Sequence, residues 1–370
     1  MKRSGAQVQK KRSRKIAPTT IFSIPVYILM EILSKLPVFT ICNCRCVCSF
    51  FRNLISDPQF VRLHLSRSRS SLVITNVYSV FSLYLVESVD PLVVDSDING
   101  KISIPSNTLP KFKPKCDVPT GGLDVLSSCN GLICFHCTST YDPYVICNPV
   151  ISEYVIVAQM EKAFYHHCGS GFGFCLGTNE YKVLRFLSSR LGGVSKVEAE
   201  INTLGTKLWR RVGEAPLYLR WYSGGCFLNG ALHWIVKNTE NCFESMCCFD
   251  FGKEQFQPFP VPSEFCGLPG QIRVDVMNLG VLNDGLSLCH RPFDYRLDIW
   301  MMKDYAVQES WTKVFVINPL VAPDVNLNYE PLMVLKNGDI LMLFASSFMV
   351  SFDTRSRSYR KGETPKVTPV

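Results

Sequence analysis

The sequence predicts an α+β multidomain chain, a small N-terminal helical unit followed by an all-β, propeller-like domain of about six blades. Between residues 24 and 65 apolar side chains recur at helical spacing, and from Leu72 onward that period gives way to short β-prone runs. Beyond residue 120 a turn followed by an alternating apolar strand keeps returning, at a period of about fifty residues. The composition suits this plan: 370 residues, 47% hydrophobic and 19% charged, supply core material for one small module and one large domain.

In the helical stretch Ile28, Leu29, Ile32, Leu33 and Leu36 form one apolar stripe, and Cys44, Val47, Cys48, Phe51, Leu54 and Ile55 form another. Two amphipathic segments hinged near Pro37 follow from them. Pro25 suits a first helical turn, where its missing N–H costs nothing, with Ser23 ahead as a cap. Pro37 ends the first segment and Asp57-Pro58 the second, because a proline ring disfavours the α region at the residue before it. A unit of about forty residues is too small to bury a self-sufficient core. Its stripes need a partner, inside the chain or outside it.

The order Ile24-Pro25, Glu31-Ile32-Leu33-Ser34-Lys35-Leu36-Pro37-Val38, Arg45-Cys46-Val47-Cys48 and Leu54-Ile55-Ser56-Asp57-Pro58-Gln59-Phe60 resembles the F-box of plant F-box proteins. Three positions depart from the usual pattern: Ile24 stands where Leu is commoner, Phe51 where Trp is usual, and Cys42-Asn43-Cys44 replaces a more aliphatic or basic run. The resemblance implies a three-helix unit whose apolar face docks on the Skp-family adaptor of a cullin-RING ubiquitin ligase. Ile24, Pro25, Leu29, Ile32, Leu33, Leu36, Pro37, Val47, Cys48, Phe51 and Ile55 are the residues expected to form or support that face. Replacing Leu33 and Pro37 together by alanine is expected to weaken adaptor binding.

Charge is uneven. Of a net +8, seven positive charges lie before residue 16, so the remainder is close to neutral and a nucleic-acid surface on the folded body is not expected. The basic tail, residues 1–20, reads as a solvated arm, as a bipartite nuclear import signal through Lys10-Lys11-Arg12-Ser13-Arg14-Lys15, or as a nonspecific phosphate contact. No apolar run reaches the roughly 18 residues of a membrane span, and no secretory signal opens the sequence. A protein of nucleus or cytoplasm with no membrane partner is expected, its 17 cysteines reduced and packed as small apolar residues.

The repeating pattern begins at Asn130-Gly131 and returns at Asn229-Gly230, Asn283-Asp284-Gly285 and Asn337-Gly338, residues that supply the positive φ angles of tight hairpin turns. A later strand in each unit runs into a second turn, at Asn148-Pro149, Asp250-Phe251-Gly252 and Asp353-Thr354. The period is that of kelch-type blades. Ser128-Cys129-Asn130-Gly131-Leu132-Ile133-Cys134, Cys147-Asn148-Pro149, Gly171-Phe172-Gly173-Phe174, Gly230-Ala231-Leu232-His233-Trp234 and Glu309-Ser310-Trp311-Thr312-Lys313 also resemble the F-box-associated domain of many plant proteins. The two resemblances place an F-box at 21–66 and a target-binding propeller at 67–366.

No chemistry-bearing motif competes strongly with this picture. The glycines of Cys168–Gly177 suggest a phosphate loop, but strand-like residues follow where a helix N-terminus is required, so a blade turn is expected. His166-His167-Cys168 and the Cys129, Cys134, His136, Cys137 set lack structural-zinc spacing, and no metal or other cofactor is expected. There is no Gly-x-Ser-x-Gly elbow. His233 reads as packed, and Trp209, Trp234, Trp300 and Trp311 as inter-blade packing. Tyr141, Tyr165, Trp221 and Tyr222 are the aromatic residues expected to touch a target. The reading is a non-catalytic substrate receptor of an SCF-type (Skp-cullin-F-box) ubiquitin ligase with an unknown target protein. A propeller lectin or enzyme acting on a small molecule or glycan, and a ligase-independent nuclear scaffold, stay open beside it.

Overall fold

The computed structural model describes residues 21–68, 72–76, 82–86, 111–112, 123–137, 143–151, 153–157, 166–191, 194–216, 225–240, 242–267, 271–274, 277–293, 296–318, 329–335, 337–344, 348–363 and 367–369. The chain divides into two compact units, Met1–Ser68 and Arg69–Val370.

The first unit holds four α-helices, not three: α1 (Val26–Leu33), α2 (Val38–Val47), α3 (Ser49–Ser56) and α4 (Pro58–Arg67). The single second segment expected from the sequence is split because Cys48 takes an extended backbone, φ −163°, between α2 and α3. Pro58 then opens α4 at a position where its missing N–H is harmless, with the Asp57 carboxylate accepting from Gln59 N at 2.7 Å. Pro25 lies just outside α1 as its N-cap and Ser23 ends a short 3₁₀ turn, so the proline, not the serine, stands at the cap position. Leu29, Leu33, Ile41, Phe51, Leu54, Ile55 and Phe60 make the unit's core.

The second unit is a β-propeller. Five four-stranded antiparallel sheets are each made of consecutive strands. They are β4–β7 (Leu123–Cys129, Leu132–Cys137, Tyr144–Asn148, Glu153–Ile156) and β8–β11 (His166–Cys175, Glu180–Leu191, Val194–Thr203, Trp209–Glu214). Next come β12–β15 (Cys226–Leu228, Ala231–Lys237, Phe243–Asp250, Gln255–Phe259) and β16–β19 (Met277–Leu282, Gly285–Phe293, Arg296–Met302, Trp311–Ile317). The fifth is β20–β23 (Tyr329–Val334, Ile340–Phe344, Phe348–Asp353, Ser358–Glu363). Against the roughly six blades expected, these five are contiguous in sequence. A sixth sheet is assembled from β1 (Leu72–Asn76), β2 (Ser82–Val86) and β3 (Lys111–Phe112) with the last strand, β24 (Val367–Pro369), paired on β1.

Adjacent sheets share their cores. Leu232 and Trp234 face the β8–β11 sheet, while Ala231 and Ile235 on the same strand face β16–β19. Both faces of a blade are therefore buried, and its strands read as apolar runs rather than simple alternation. The repeated turns take the predicted conformation at three sites: Asn130 and Gly131 have φ of 50° and 79°, Asn229 and Gly230 50° and 78°, Asn283 and Asp284 49° and 60°. At the fourth only Gly338 is left-handed, φ 89°, because Asn337 turns its side chain onto Asp339. The second turns share one device. Asn148, Asp250 and Asp353 each accept two following backbone N–H groups on one side-chain oxygen.

Of the glycine run, Gly169, Gly171 and Gly173 lie within β8 and only Gly177 lies in the turn after it, and a Cβ on Gly173 would overlap Phe251 and come within 2.7 Å of Phe227 on the next blade. Absent side chains there let two aromatic rings approach the strand.

Candidate functional site

The functional question turns on α1, whose sequence VYILMEIL is apolar around nearly its whole circumference. A helix of that kind is covered on all sides in its working state. Leu29 and Leu33 face the unit's core, at 2% and 6% exposure, yet Tyr27, Ile28 and Ile32 stand out at 66%, 37% and 50%. Val47, at the end of α2, is 70% exposed. Among the described residues of this unit, that outward apolar surface has no core of its own to join.

The eleven residues expected to build a docking face divide by depth. Pro25, Ile32, Pro37 and Val47 are exposed. Ile24, Leu36 and Cys48 are half-buried against the core. Leu29, Leu33, Phe51 and Ile55 are buried in the core. The expectation for Leu33 is corrected in one respect: truncating it excavates the core, so Leu33→Ala tests folding as much as docking. Sequence reasoning missed Tyr27, which lay off the stripe, although it is the second residue of a short, wholly apolar helix.

A polar clamp holds the corner between α1 and α2. Arg67 of α4 donates to the buried Ser34 hydroxyl at 2.6 Å and to Glu31 Oε1 at 2.9 Å, and its other contact with the Glu31 carboxylate is also 2.9 Å. Hydrogen bonding from Arg67 holds the Glu31 carboxyl below its ordinary range. His64 Nε2 lies 3.4 Å from the Leu36 carbonyl oxygen.

In the propeller, polar side chains tie strands and blades together. Arg185 and Glu200, directly opposed on β9 and β10 and almost fully buried, join at 2.8 Å, with the guanidinium 4.1 Å above the Trp209 ring. The Tyr144 hydroxyl pairs with His167, whose pKa is lowered to about 3 by burial and then by Arg185 and His136. All four tryptophans read as packing are buried, with Trp234 edge-on to Phe186 of the neighbouring blade and Trp311 Nε1 donating to the Pro260 carbonyl at 3.1 Å. Among the described residues no three His, Cys, Asp or Glu side chains gather as a metal site, and no helix is long and apolar enough to cross a membrane. Tyr141, Tyr165, Trp221 and Tyr222 lie outside the described residues.

The chain thus combines a helical unit that exposes apolar residues with a β-propeller whose buried polar groups pair with one another within and between sheets. Known families agree: the F-box domain matches residues 21–63 and the F-box associated beta propeller domain residues 72–364. The chain belongs to the F-box-associated β-propeller family and carries an F-box at its N-terminus. It is similar to F-box protein CPR1 of Arabidopsis thaliana, 25% identical with 90% of this chain and 83% of that protein covered. It is also similar to F-box protein At3g07870 of the same plant, 25% identical with 91% and 87% covered. Among solved structures, TolB from Acinetobacter baumannii overlaps at TM-score 0.42 and 11% identity over 87% of this chain and 72% of that one, too distant to bear on activity.

Proposed function

We propose that this chain is the non-catalytic substrate-recognition subunit of an SCF-type ubiquitin ligase. The F-box docks on a Skp-family adaptor, the adaptor brings cullin, and the propeller holds a target protein for ubiquitination. The observation that carries the reading is α1, buried at Leu29 and Leu33 and uncovered at Tyr27, Ile28 and Ile32, in a unit whose Val47 is exposed as well. Desolvating that surface supplies the binding energy, and a few central side chains contribute most of it.

The test uses exposed positions so that folding is spared. Ile32→Glu with Val47→Glu places two charges in an apolar interface, and a loss of adaptor affinity of at least about thirtyfold, or 2 kcal/mol, is expected. Full-length wild type and the double variant are compared by pulldown from cells with the proteasome blocked. Adaptor and cullin should appear with wild type alone, while partners of the propeller appear with both. Equal recovery of adaptor by the two proteins sinks the proposal.

A further inference from the structure

We propose that Arg67 and His64 are positioning residues for adaptor docking, holding the α1–α2 corner from α4. The docking unit then extends past residue 63, where the family match to the F-box ends, to the end of α4. This inference rests on the SCF reading above and assigns a role within it to two residues of α4.

The corner is a weak place in the backbone. Helix α1 has only eight residues, and Ser34 N, bonded to Met30 O at 2.9 Å, closes its last α-helical turn. Beyond it Lys35 N reaches Ile32 O at 3.3 Å and Leu36 N reaches Leu33 O at 3.0 Å, bonds of 3₁₀ type, and Pro37 then removes the next donor. Ile32 and Pro37, which present apolar surface outward, flank this stretch. Their relative placement depends on how firmly the intervening backbone is held.

Helix α4 supplies the restraint. It packs on α1 and on α3, and Phe60, His64 and Arg67 project from one of its faces at helical spacing. Phe60 is a core residue, with its ring stacked on His64 at 6.1 Å. A carbonyl can only accept, so His64 Nε2 is the donor in the 3.4 Å contact to Leu36 O, while the Ser68 hydroxyl, which donates to the His64 carbonyl at 2.8 Å, lies 3.2 Å from Nδ1. One turn further, the Arg67 guanidinium spans the Glu31 carboxylate and the Ser34 hydroxyl, with Nη1 also 3.5 Å from the Glu31 carbonyl oxygen. That is a cation at the C-terminal end of α1, where the helix dipole favours it. Ser34, held by Arg67, in turn donates to Glu31 O at 3.1 Å. The clamp therefore fixes the last turn of α1 and the carbonyl just before Pro37.

The pair is too exposed to matter much for global stability, since solvent screens such ion pairs and their side chains lose rotamer freedom in forming them. Its effect is geometric, and that separates it from ordinary structural support. A loosened corner lowers affinity by making the adaptor select a less populated conformation.

Full-length wild type, Arg67→Ala, Arg67→Lys and the swapped pair Glu31→Arg with Arg67→Glu are compared for affinity to a purified Skp-family adaptor and for hydrogen exchange. Arg67→Ala is expected to bind about tenfold more weakly, Arg67→Lys in between, and the swapped pair within about threefold of wild type. Exchange should rise at residues 34–36 in Arg67→Ala while α3 and the propeller stay as protected as in wild type. Adaptor binding by Arg67→Ala within about twofold of wild type overturns the inference and leaves the SCF reading intact. So does faster exchange throughout all four helices, which marks a folding defect. If wild type itself does not bind the adaptor, the SCF reading fails instead.

Discussion

Burial leaves His233 two hydrogen-bond partners and almost no solvent: Nδ1 lies 2.9 Å from the Cys226 carbonyl oxygen and Nε2 2.9 Å from the Tyr305 hydroxyl. The carbonyl requires a proton on Nδ1, so Nε2 accepts from Tyr305 and the ring is neutral. Burial, opposed in part by the Cys226 carbonyl, lowers its pKa from 6.5 to about 4. The unfolded chain therefore binds a proton that the folded chain refuses, and the stability so contributed is complete above pH 6.5 and lost as pH falls toward 4. At about 1.4 kcal/mol per pKa unit the loss is roughly 3 kcal/mol. His233→Asn should flatten the decline in unfolding midpoint between pH 7 and pH 4, and parallel curves for variant and wild type would contradict this. At this scale the sequence told apolar from polar but not depth. Leu33 and Ile32 are adjacent and chemically alike, and only packing against Phe60 and its neighbours makes one core and the other surface.

Among elements, the second turns of the blades show how one side chain organises a loop. In Asp250 a single oxygen accepts from Gly252 N at 2.8 Å and from Lys253 N at 2.9 Å. Asp250→Ala removes both acceptors and should lower stability by about 1–2 kcal/mol in urea denaturation, whereas Asp250→Asn, which keeps an acceptor oxygen, should lose much less. Equal losses for the two variants would show that the ion pair with Lys253, not the backbone contacts, holds the turn. Such turns were legible because their chemistry is local: Asn148, Asp250 and Asp353 each announce themselves within four residues. The break at Cys48 was not, since nothing in a cysteine side chain dictates an extended backbone. Gly173 of β8 misled for the opposite reason, because the residues that require a glycine there, Phe227 and Phe251, lie on another blade.

For the whole molecule, the decisive pairing is the least local one. Leu72 lies opposite Pro369 and Ile74 opposite Val367, so the last strand completes a sheet begun by the first. Deleting residues 365–370 exposes the edge of β1, and the unfolding midpoint should fall by at least about 3 °C while protease cleavage appears within residues 72–112. A truncated chain as protease-resistant as the intact one would show that the other five sheets carry the domain alone. No sequence pattern predicts which strand closes the sixth sheet, because the partners lie at opposite ends of the propeller segment. The same pairing sets a timetable during synthesis. At ribosomal rates of about 5–20 residues per second, β1 waits roughly 15–60 s for β24 to be made. The F-box helices, α1 to α4, end at Arg67 and are complete long before then. On the proposed reading, a nascent chain thus becomes competent for the adaptor well before its propeller can close, and through that interval the open edge of β1 is the point a chaperone has most reason to guard.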